Sequence, residues 1–356
     1  MIPFITKKKF SGFRKILIIG HSNIGDVCYD LVVVKPLRIN FPHAKISFLT
    51  SPRAQNIVAS WDGLDRIIIF DRKATGKKIF GRIPFMVSLI KEQFDLAIVL
   101  KSTLMHQFLG IPNVWSLSQY LGGGKVSDKK RHVVDIYLDF LRFHHMDNPQ
   151  PVFELNAQKT SAPFFDKFLE ENKISPQDKI IGISPLAAWS LKNWPTEKWN
   201  GLAEILKLKY GFKVIAFGKS AGDAFSHRTV ENLSPTIAST IDKTSLVEAL
   251  ALIKRCDFFI GPDSGLLHLA SCMKVETIGL YGATSKDFLY PYFHRHNMVV
   301  SKAKLPCMPC YPGNIPCQRI GKSLCGQCME AIEVEDVLAA IENRLAGRPI
   351  LSGGNK

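Results

Sequence analysis

The residues Lys15-Ile-Leu-Ile-Ile-Gly20-His-Ser-Asn-Ile-Gly25-Asp26 decide the architecture. Residues 15–20 form a short apolar run, the pattern of a strand buried on both faces. A turn over 21–25 follows, and the spacing predicts a helix from 26 to about 40. Gly20 and Gly25 permit a tight turn that brings backbone close to a ligand. The turn is not a Walker phosphate loop, because no Lys-Ser/Thr follows Gly25, and it is not Gly-x-Gly-x-x-Gly. Asp26 therefore stands at the carboxyl end of the first strand. It reads either as a helix N-cap or as a carboxylate turned toward a ligand.

Outward from this segment the alternation continues. Strands are expected at 45–49, 66–70, 96–100 and, shorter, 114–117, with an amphipathic helix at 132–143. Pro149, Pro151 and Pro163 mark a more polar stretch, read as a linker with a helix over 164–172. A second series then begins. Strands are expected at 180–183, 213–217, 258–260 and 276–281. Helices are expected at 196–210, opened by Pro195 and Thr196, and at 246–254 and 334–344. Strands alternating with helices imply an α/β fold with parallel sheets covered on both faces. Two such series give two Rossmann-like domains, 1–160 and 161–356, with the default ligand site in the cleft between them.

Composition agrees with two cores. The chain has 356 residues, 46% of them hydrophobic, and single cores rarely grow past roughly 250–300 residues. No apolar run approaches the ~20 residues of a membrane helix. The run 16–19 is too short for the apolar core of a signal peptide, so a cytoplasmic location is expected. The net charge of +15 suits an acidic partner: nucleic acid, anionic lipid or a phosphorylated substrate.

Two further segments carry chemistry. In Ser184-Pro-Leu-Ala-Ala-Trp-Ser-Leu-Lys192-Asn-Trp194-Pro195 a lysine sits on a strand-to-helix loop. From there it either neutralises a phosphate or is solvated. Trp194 and Pro195 would pin that loop. In Ile260-Gly-Pro-Asp263-Ser264-Gly265-Leu266-Leu-His268-Leu-Ala a helix starts at Ser264. Unpaired N–H groups and the helix dipole make such a start an anion site, and Gly265 lets a diphosphate come close. The plainer reading is an ordinary capped helix with a core histidine.

Taken together, these segments resemble glycosyltransferase family 9, the ADP-heptose:lipopolysaccharide heptosyltransferases. The resemblance runs from about residue 15 to about 337. Ile24-Gly25-Asp26 is similar to the family's opening Gly-Asp, and Phe41-Pro42-His-Ala44-Lys-Ile46 to its Phe-Pro-x-Ala-x-Ile. His132 with Tyr137-Leu138 is similar to its His…Tyr-Leu helix, Lys192-x-Trp194-Pro195 to its Lys-x-Trp-Pro, and Thr244-Ser245-Leu246 to its Thr-Ser-Leu. Asp263-Ser264-Gly265-Leu266-x-His268-Leu269-Ala270 and Tyr281-Gly282-Ala283-Thr284 complete the set.

The resemblance implies a GT-B architecture, an acceptor-binding N-terminal domain and a nucleotide-sugar-binding C-terminal domain. It implies inverting transfer of heptose, or a similar sugar, from an ADP-sugar to a lipopolysaccharide core or related glycan, without a catalytic metal. Asp26 would be the general base. Lys192, with the helix start at Ser264 and Gly265, would hold the diphosphate. Asp263, Leu266 and His268 would line the donor pocket, Gly218 would meet the nucleoside, and Asp223 is a candidate for the ribose. Gly25, Lys101, Arg72 and Lys73 are the expected acceptor contacts. Where the family carries Thr and Pro after the aspartate, this chain has Asp30 and Val32, with Pro36 displaced; its Pro-Gly before the lysine is Pro185-Leu186.

Five of eight cysteines crowd between 307 and 328. Cys307-x2-Cys310 and Cys325-x2-Cys328 approach zinc-ribbon spacing, so a structural zinc, reduced thiols and a disulfide are all open, with Cys317 left over. Cys28, Cys256 and Cys272 read as small core residues. Arg72, Lys73, Lys77, Lys78 and Arg82 surround Phe80 and Phe85. With 1–9, this basic, aromatic stretch suits the anionic inner face of a membrane or lipid A-core phosphates, or is a solvated loop. Two rival readings stay open: a nucleic-acid-binding protein with a zinc ribbon, and a nucleotide-sugar-binding protein without catalysis.

Overall fold

The computed structural model describes residues 12–71, 79–122, 131–147, 149–153, 162–220, 222–287, 289–310 and 325–347. The chain divides into two compact units, Met1–Asp128 with Val133–Val152, and Lys129–His132 with Phe153–Lys356. It enters the second unit at Phe153, just past Pro149 and Pro151 of the polar stretch. No helix among the described residues is long and apolar enough to cross a membrane.

The first unit carries β1 (Lys15–Ile19), β2 (Lys45–Thr50), β3 (Arg66–Ile69), β4 (Leu96–Val99) and β5 (Asn113–Ser116). They run in the order β3-β2-β1-β4-β5, with all neighbours parallel. Ile16–Ile19 of β1 are fully buried, as a central parallel strand demands. The helices are α1 (Ile24–Asp30), α2 (Val34–Asn40), α3 (Gln55–Ala59), α4 (Ile83–Lys91), α5 (Leu117–Tyr120) and α6 (Val133–Phe143). The strand order reverses between β1 and β4, so the residues after those two strands, His21–Asp26 and Leu100–Lys101, stand where an α/β sheet opens for a ligand.

Two expectations change here. The single helix expected over 26–40 is two helices joined by a 3-10 turn at Leu31–Val33. Pro36 has no N–H to give to the Val32 carbonyl, so the α-helical ladder cannot run through that turn. The stretch 71–85, read as a basic loop, ends in helix α4. Phe85 is not a free aromatic: its ring lies 4.8 Å from that of Phe70 and packs on a core with Leu89 and Phe94. The opposite side of α4 leaves Ile83, Val87 and Ile90 exposed by 49%, 42% and 45%. Arg72, Lys73, Lys77 and Lys78 lie outside the described residues.

The second unit carries β6 (Ile180–Ile183), β7 (Lys213–Ala216), β8 (Ile237–Ser239), β9 (Phe258–Pro262), β10 (Glu276–Tyr281) and β11 (Met298–Val300). The order is β11-β10-β9-β6-β7-β8, again parallel throughout. The helices are α7 (Ala162–Glu171), α8 (Thr196–Tyr210), α9 (Ala224–Glu231), α10 (Leu246–Ile253), α11 (Gly265–Cys272), α12 (Gln327–Glu330) and α13 (Val334–Leu345). Both units are therefore Rossmann-like α/β sheets. The reversal here falls between β6 and β9, which sets Ser184 beside Ile260 (Ser184 N–H to the Ile260 carbonyl, 2.9 Å).

Motif residues explain several local features. Ser245 of Thr244-Ser245-Leu246 is the N-cap of α10, and Glu248 closes a reciprocal capping box with it. Gly282 is needed because a Cβ there would lie 2.7 Å from the Cys328 carbonyl oxygen. The backbone on either side of the cysteine-rich stretch thus packs over the loop after β10, where Cys310 N–H also donates to the Ala283 carbonyl at 2.8 Å.

Candidate active site

In the first unit, Asp26 is the third residue of α1, solvent-exposed, and accepts from Asn23 Nδ2 at 3.2 Å. The N-cap position belongs to Asn23, so capping is not what Asp26 does. Gly25 precedes it in the same turn and Lys101 follows the end of β4. The loop before α1 is tied to the end of β2: Thr50 Oγ1 donates to the His21 carbonyl (3.3 Å) and Ser51 Oγ to that of Ser22 (2.8 Å).

One turn along α1 from Asp26 lies Asp30, fully buried. Its carboxylate receives the His21 N–H at 2.5 Å, His21 Nδ1 at 2.9 Å and the Tyr137 hydroxyl at 2.9 Å. The charge of Asp30 raises the His21 imidazole to about 9 against the opposing cost of burial; Asp26 adds to the rise and Lys101 opposes it. His21 is therefore a cation at neutral pH. Gly20 has a different reason from the one expected: a Cβ there would meet Phe48 at 2.5 Å and Asp30 Oδ2 at 2.8 Å. The glycine makes room for the buried carboxylate. Sequence reasoning missed the group, although Asp26 and Asp30 share a helix face four residues apart.

In the second unit the loop between β6 and α8 carries Lys192 on a short 3-10 turn, Ser190–Lys192. Asn193 Oδ1 accepts the Ala187 N–H at 2.6 Å. Trp194, wholly buried, donates from Nε1 to the Ile332 carbonyl at 2.9 Å and meets Trp199 edge-on at 4.8 Å. The loop is thus pinned by the Trp, as expected. Lys192 Nζ donates to the Asp263 carboxylate at 2.9 Å and to its carbonyl at 2.8 Å. The other carboxylate oxygen of Asp263 is 2.8 Å from His268 Nε2.

Asp263 is 4% exposed. Burial alone would raise its carboxyl; the Lys192 ammonium and His268 outweigh that and hold it down at about 2. Both its oxygens are engaged, so Asp263 orders Lys192 and His268.

Ser264 occupies the N-cap of α11 in an extended conformation, yet its side chain makes no capping bond. Its Oγ is buried and has no hydrogen-bond partner among the described residues. The first amides of α11 have no intrahelical acceptor by helix geometry, and Gly265 and Leu266 are partly exposed. A lysine cation, an unspent hydroxyl and a helix N-terminus therefore share one strand end, which is what holding an anion requires. Gly218 follows β7 and lies against Leu186 of the lysine loop, 3.6 Å from where its Cβ would be. Asp223 caps α9 by accepting the Ser226 N–H at 2.7 Å. The acid next to Gly218 is Asp242, whose N–H donates to the Gly218 carbonyl at 3.3 Å.

Among the described residues no disulfide joins Cys307, Cys310, Cys325 and Cys328 to one another. Cys307 and Cys310 share a small apolar cluster against which Cys325 packs, while Cys328 belongs to the main core of the unit. Among the described residues no group of three or more His, Cys, Asp or Glu side chains is placed to hold a metal ion. Cys317 lies outside them.

Comparison with known proteins adds four findings. A family model described as glycosyltransferase family 9 (heptosyltransferase) matches residues 84–316. The lipooligosaccharide heptosyltransferase 2 of Haemophilus influenzae is 27% identical over 305 residues, covering 78% of this chain and 85% of the relative. Among solved structures, a glycosyl transferase family 9 protein from Veillonella parvula superposes with a TM-score of 0.74 at 20% identity, over 94% of this chain and 98% of that one. The ADP-heptose lipopolysaccharide heptosyltransferase II of Escherichia coli gives 0.67 at 22% identity, over 94% and 99%. These two likenesses carry the fold, two Rossmann-like sheets of GT-B type.

Proposed function

The chain belongs to glycosyltransferase family 9, the heptosyltransferases, and from that premise we propose that it transfers a heptose from ADP-heptose to the core of a lipopolysaccharide, with inversion and without a catalytic metal. The observation that carries this reading is the Lys192–Asp263–His268 network beside the uncapped start of α11.

In the reaction, an acceptor hydroxyl attacks the anomeric carbon of the donor. The bond from that carbon to the diphosphate breaks, and ADP leaves with the electron pair. The proton of the hydroxyl passes to Asp26, an exposed carboxylate on the first turn of α1. Charge growing on the leaving diphosphate meets the Lys192 ammonium, the Ser264 hydroxyl and the amides of Gly265 and Leu266. These groups supply the positive potential that a divalent cation supplies elsewhere, which supports metal independence. Asp263 keeps the ammonium in place through two bonds, so little reorganisation is needed as charge develops.

Mass spectrometry of the glycolipid from cells lacking the protein tests the function directly: one heptose should be missing. The purified protein should restore it from ADP-heptose in the presence of EDTA. Asp26→Ala should lower turnover by about 10²–10⁴ while keeping ADP affinity. An intact glycolipid in the deletion strain would refute the reading, and full turnover in Asp26→Ala would remove Asp26 from it.

We also propose that the chain works at an anionic membrane surface. The support is the exposed row Ile83, Val87 and Ile90 on α4, whose i, i+4, i+7 spacing forms one stripe, with Arg82 just before the helix and Lys91 ending it. Replacing all three by Ser should abolish sedimentation with phosphatidylglycerol vesicles. Unchanged sedimentation would refute it.

A further inference from the structure

The His21–Asp30–Tyr137 group has no task in the mechanism above. Three polar side chains meet at the end of the central strand, and each placement is specific. Asp30 is fully buried and Tyr137 is 1% exposed. A carboxylate in such a place is tolerated only with its acceptor positions filled, and here it takes a backbone N–H, an imidazole nitrogen and a phenol hydroxyl. Gly20 carries no side chain so that the carboxylate can come this close. Among the described residues no protein group bonds His21 Nε2, and the His21 side chain is 33% exposed. Asp30 thus fixes one edge of the ring and leaves the other edge as an N–H donor on the loop that leads into Asp26.

We propose that His21 is a further acceptor-binding residue: its Nε2–H, held in place by Asp30 and Tyr137, takes an anionic group of the acceptor, a phosphate or a carboxylate, and so sets the nucleophilic hydroxyl near Asp26. The inference rests on the proposed transferase function. The charged groups facing the ring are Asp30 and Asp26 of α1 and Lys101 after β4, with the Tyr137 phenol behind Asp30. A structural role for the network would need only the Nδ1 bond. It would not need a ring that stays cationic and partly exposed beside the proposed base.

The test is steady-state transfer to the glycolipid extracted from cells lacking the protein. His21→Gln keeps a side chain of similar reach and removes the cation. The KM for this acceptor should rise about 10- to 100-fold, the range for a lost hydrogen bond to a charged group, with ADP affinity unchanged. His21→Lys should recover part of the loss. Two treated acceptors separate the sources of the anion. Hydrogen fluoride removes phosphate esters, and methylation neutralises carboxylates. One treatment should raise the KM of the unsubstituted enzyme by a similar factor and have little further effect on His21→Gln.

With the unsubstituted enzyme, acceptor KM should be flat to about pH 8 and rise through about 9, where His21 loses its proton. In Asp30→Asn the main cause of the raised basicity is gone, so that rise should begin below pH 9. If the unsubstituted protein transfers sugar but His21→Gln shows an unchanged acceptor KM, or loses only kcat, the role of His21 falls and the transferase reading stands. If the unsubstituted protein transfers nothing, both fall.

Discussion

Consider the removal of Lys192. Its ammonium is one of two groups that hold Asp263 ionised while 4% exposed. The carboxyl lies at about 2 against an ordinary 3.8. At about 1.4 kcal/mol per pH unit, the native environment favours the ionised form by roughly 2–3 kcal/mol, even after the cost of burial. In Lys192→Ala the burial cost stays, and only His268 opposes it. A buried charge left by its partner typically costs about 3–5 kcal/mol, and the 21% exposure of the lysine side chain argues for the lower end, about 3.

The sign with pH follows. In the unsubstituted protein Asp263 contributes stability above its unfolded value and loses it as pH falls through about 2. In Lys192→Ala the carboxyl titrates higher, so the deficit is largest at pH 7 and shrinks toward pH 4. Urea unfolding at both pH values measures this. The double variant Lys192→Ala/Asp263→Ala supplies the decisive comparison: with the orphaned carboxylate gone, it should be more stable at pH 7 than Lys192→Ala alone. A single variant that loses under about 1 kcal/mol, or a double variant that is less stable than the single, would refute the argument that Asp263 is held by Lys192. Turnover should fall in both by on the order of 10²–10³, because neither retains the cation.

Two further outcomes follow from the same geometry. Ser264→Ala removes a hydroxyl with no partner among the described residues, so the thermal midpoint should hold or rise while ADP affinity falls about tenfold; a lost midpoint with unchanged affinity would make the residue structural. His21, raised to about 9, adds stability that is complete below its ordinary 6.5 and fades as pH climbs through 9. For a ring one-third exposed this amounts to about 1–2 kcal/mol after screening, so urea unfolding at pH 7 and 10 should show a decline that His21→Gln lacks.

The readable parts of the molecule were those written in contiguous residues. Strand 180–183 and helix 196–210 stand as expected because a buried run and a proline-started amphipathic helix are local signals. The lysine loop, the helix start at 264 and the exposed position of Asp26 were legible because each follows the end of a strand. Helix α4 was hidden by the lysines and glycines around it. Strands β8 and β11 are three-residue edges with little pattern to announce them. Asp30 was visible only as a departure from the family, since its meaning depends on Tyr137, 107 residues away. Contacts of that span are made by the finished sheet, and no spacing rule encodes them.

The passage of residues 129–132 into the second unit has a practical consequence. His132 is fully buried there, with Nε2 3.1 Å from the Tyr290 carbonyl and its ring 4.6 Å from that of Tyr290. A fragment starting at Phe153 would therefore be missing an interior piece that the numbering assigns to the other half. Chimeras made by joining the second unit to a foreign first unit at a single seam would inherit a vacant socket. Workable swaps will have to carry the tetrapeptide across with its rightful owner.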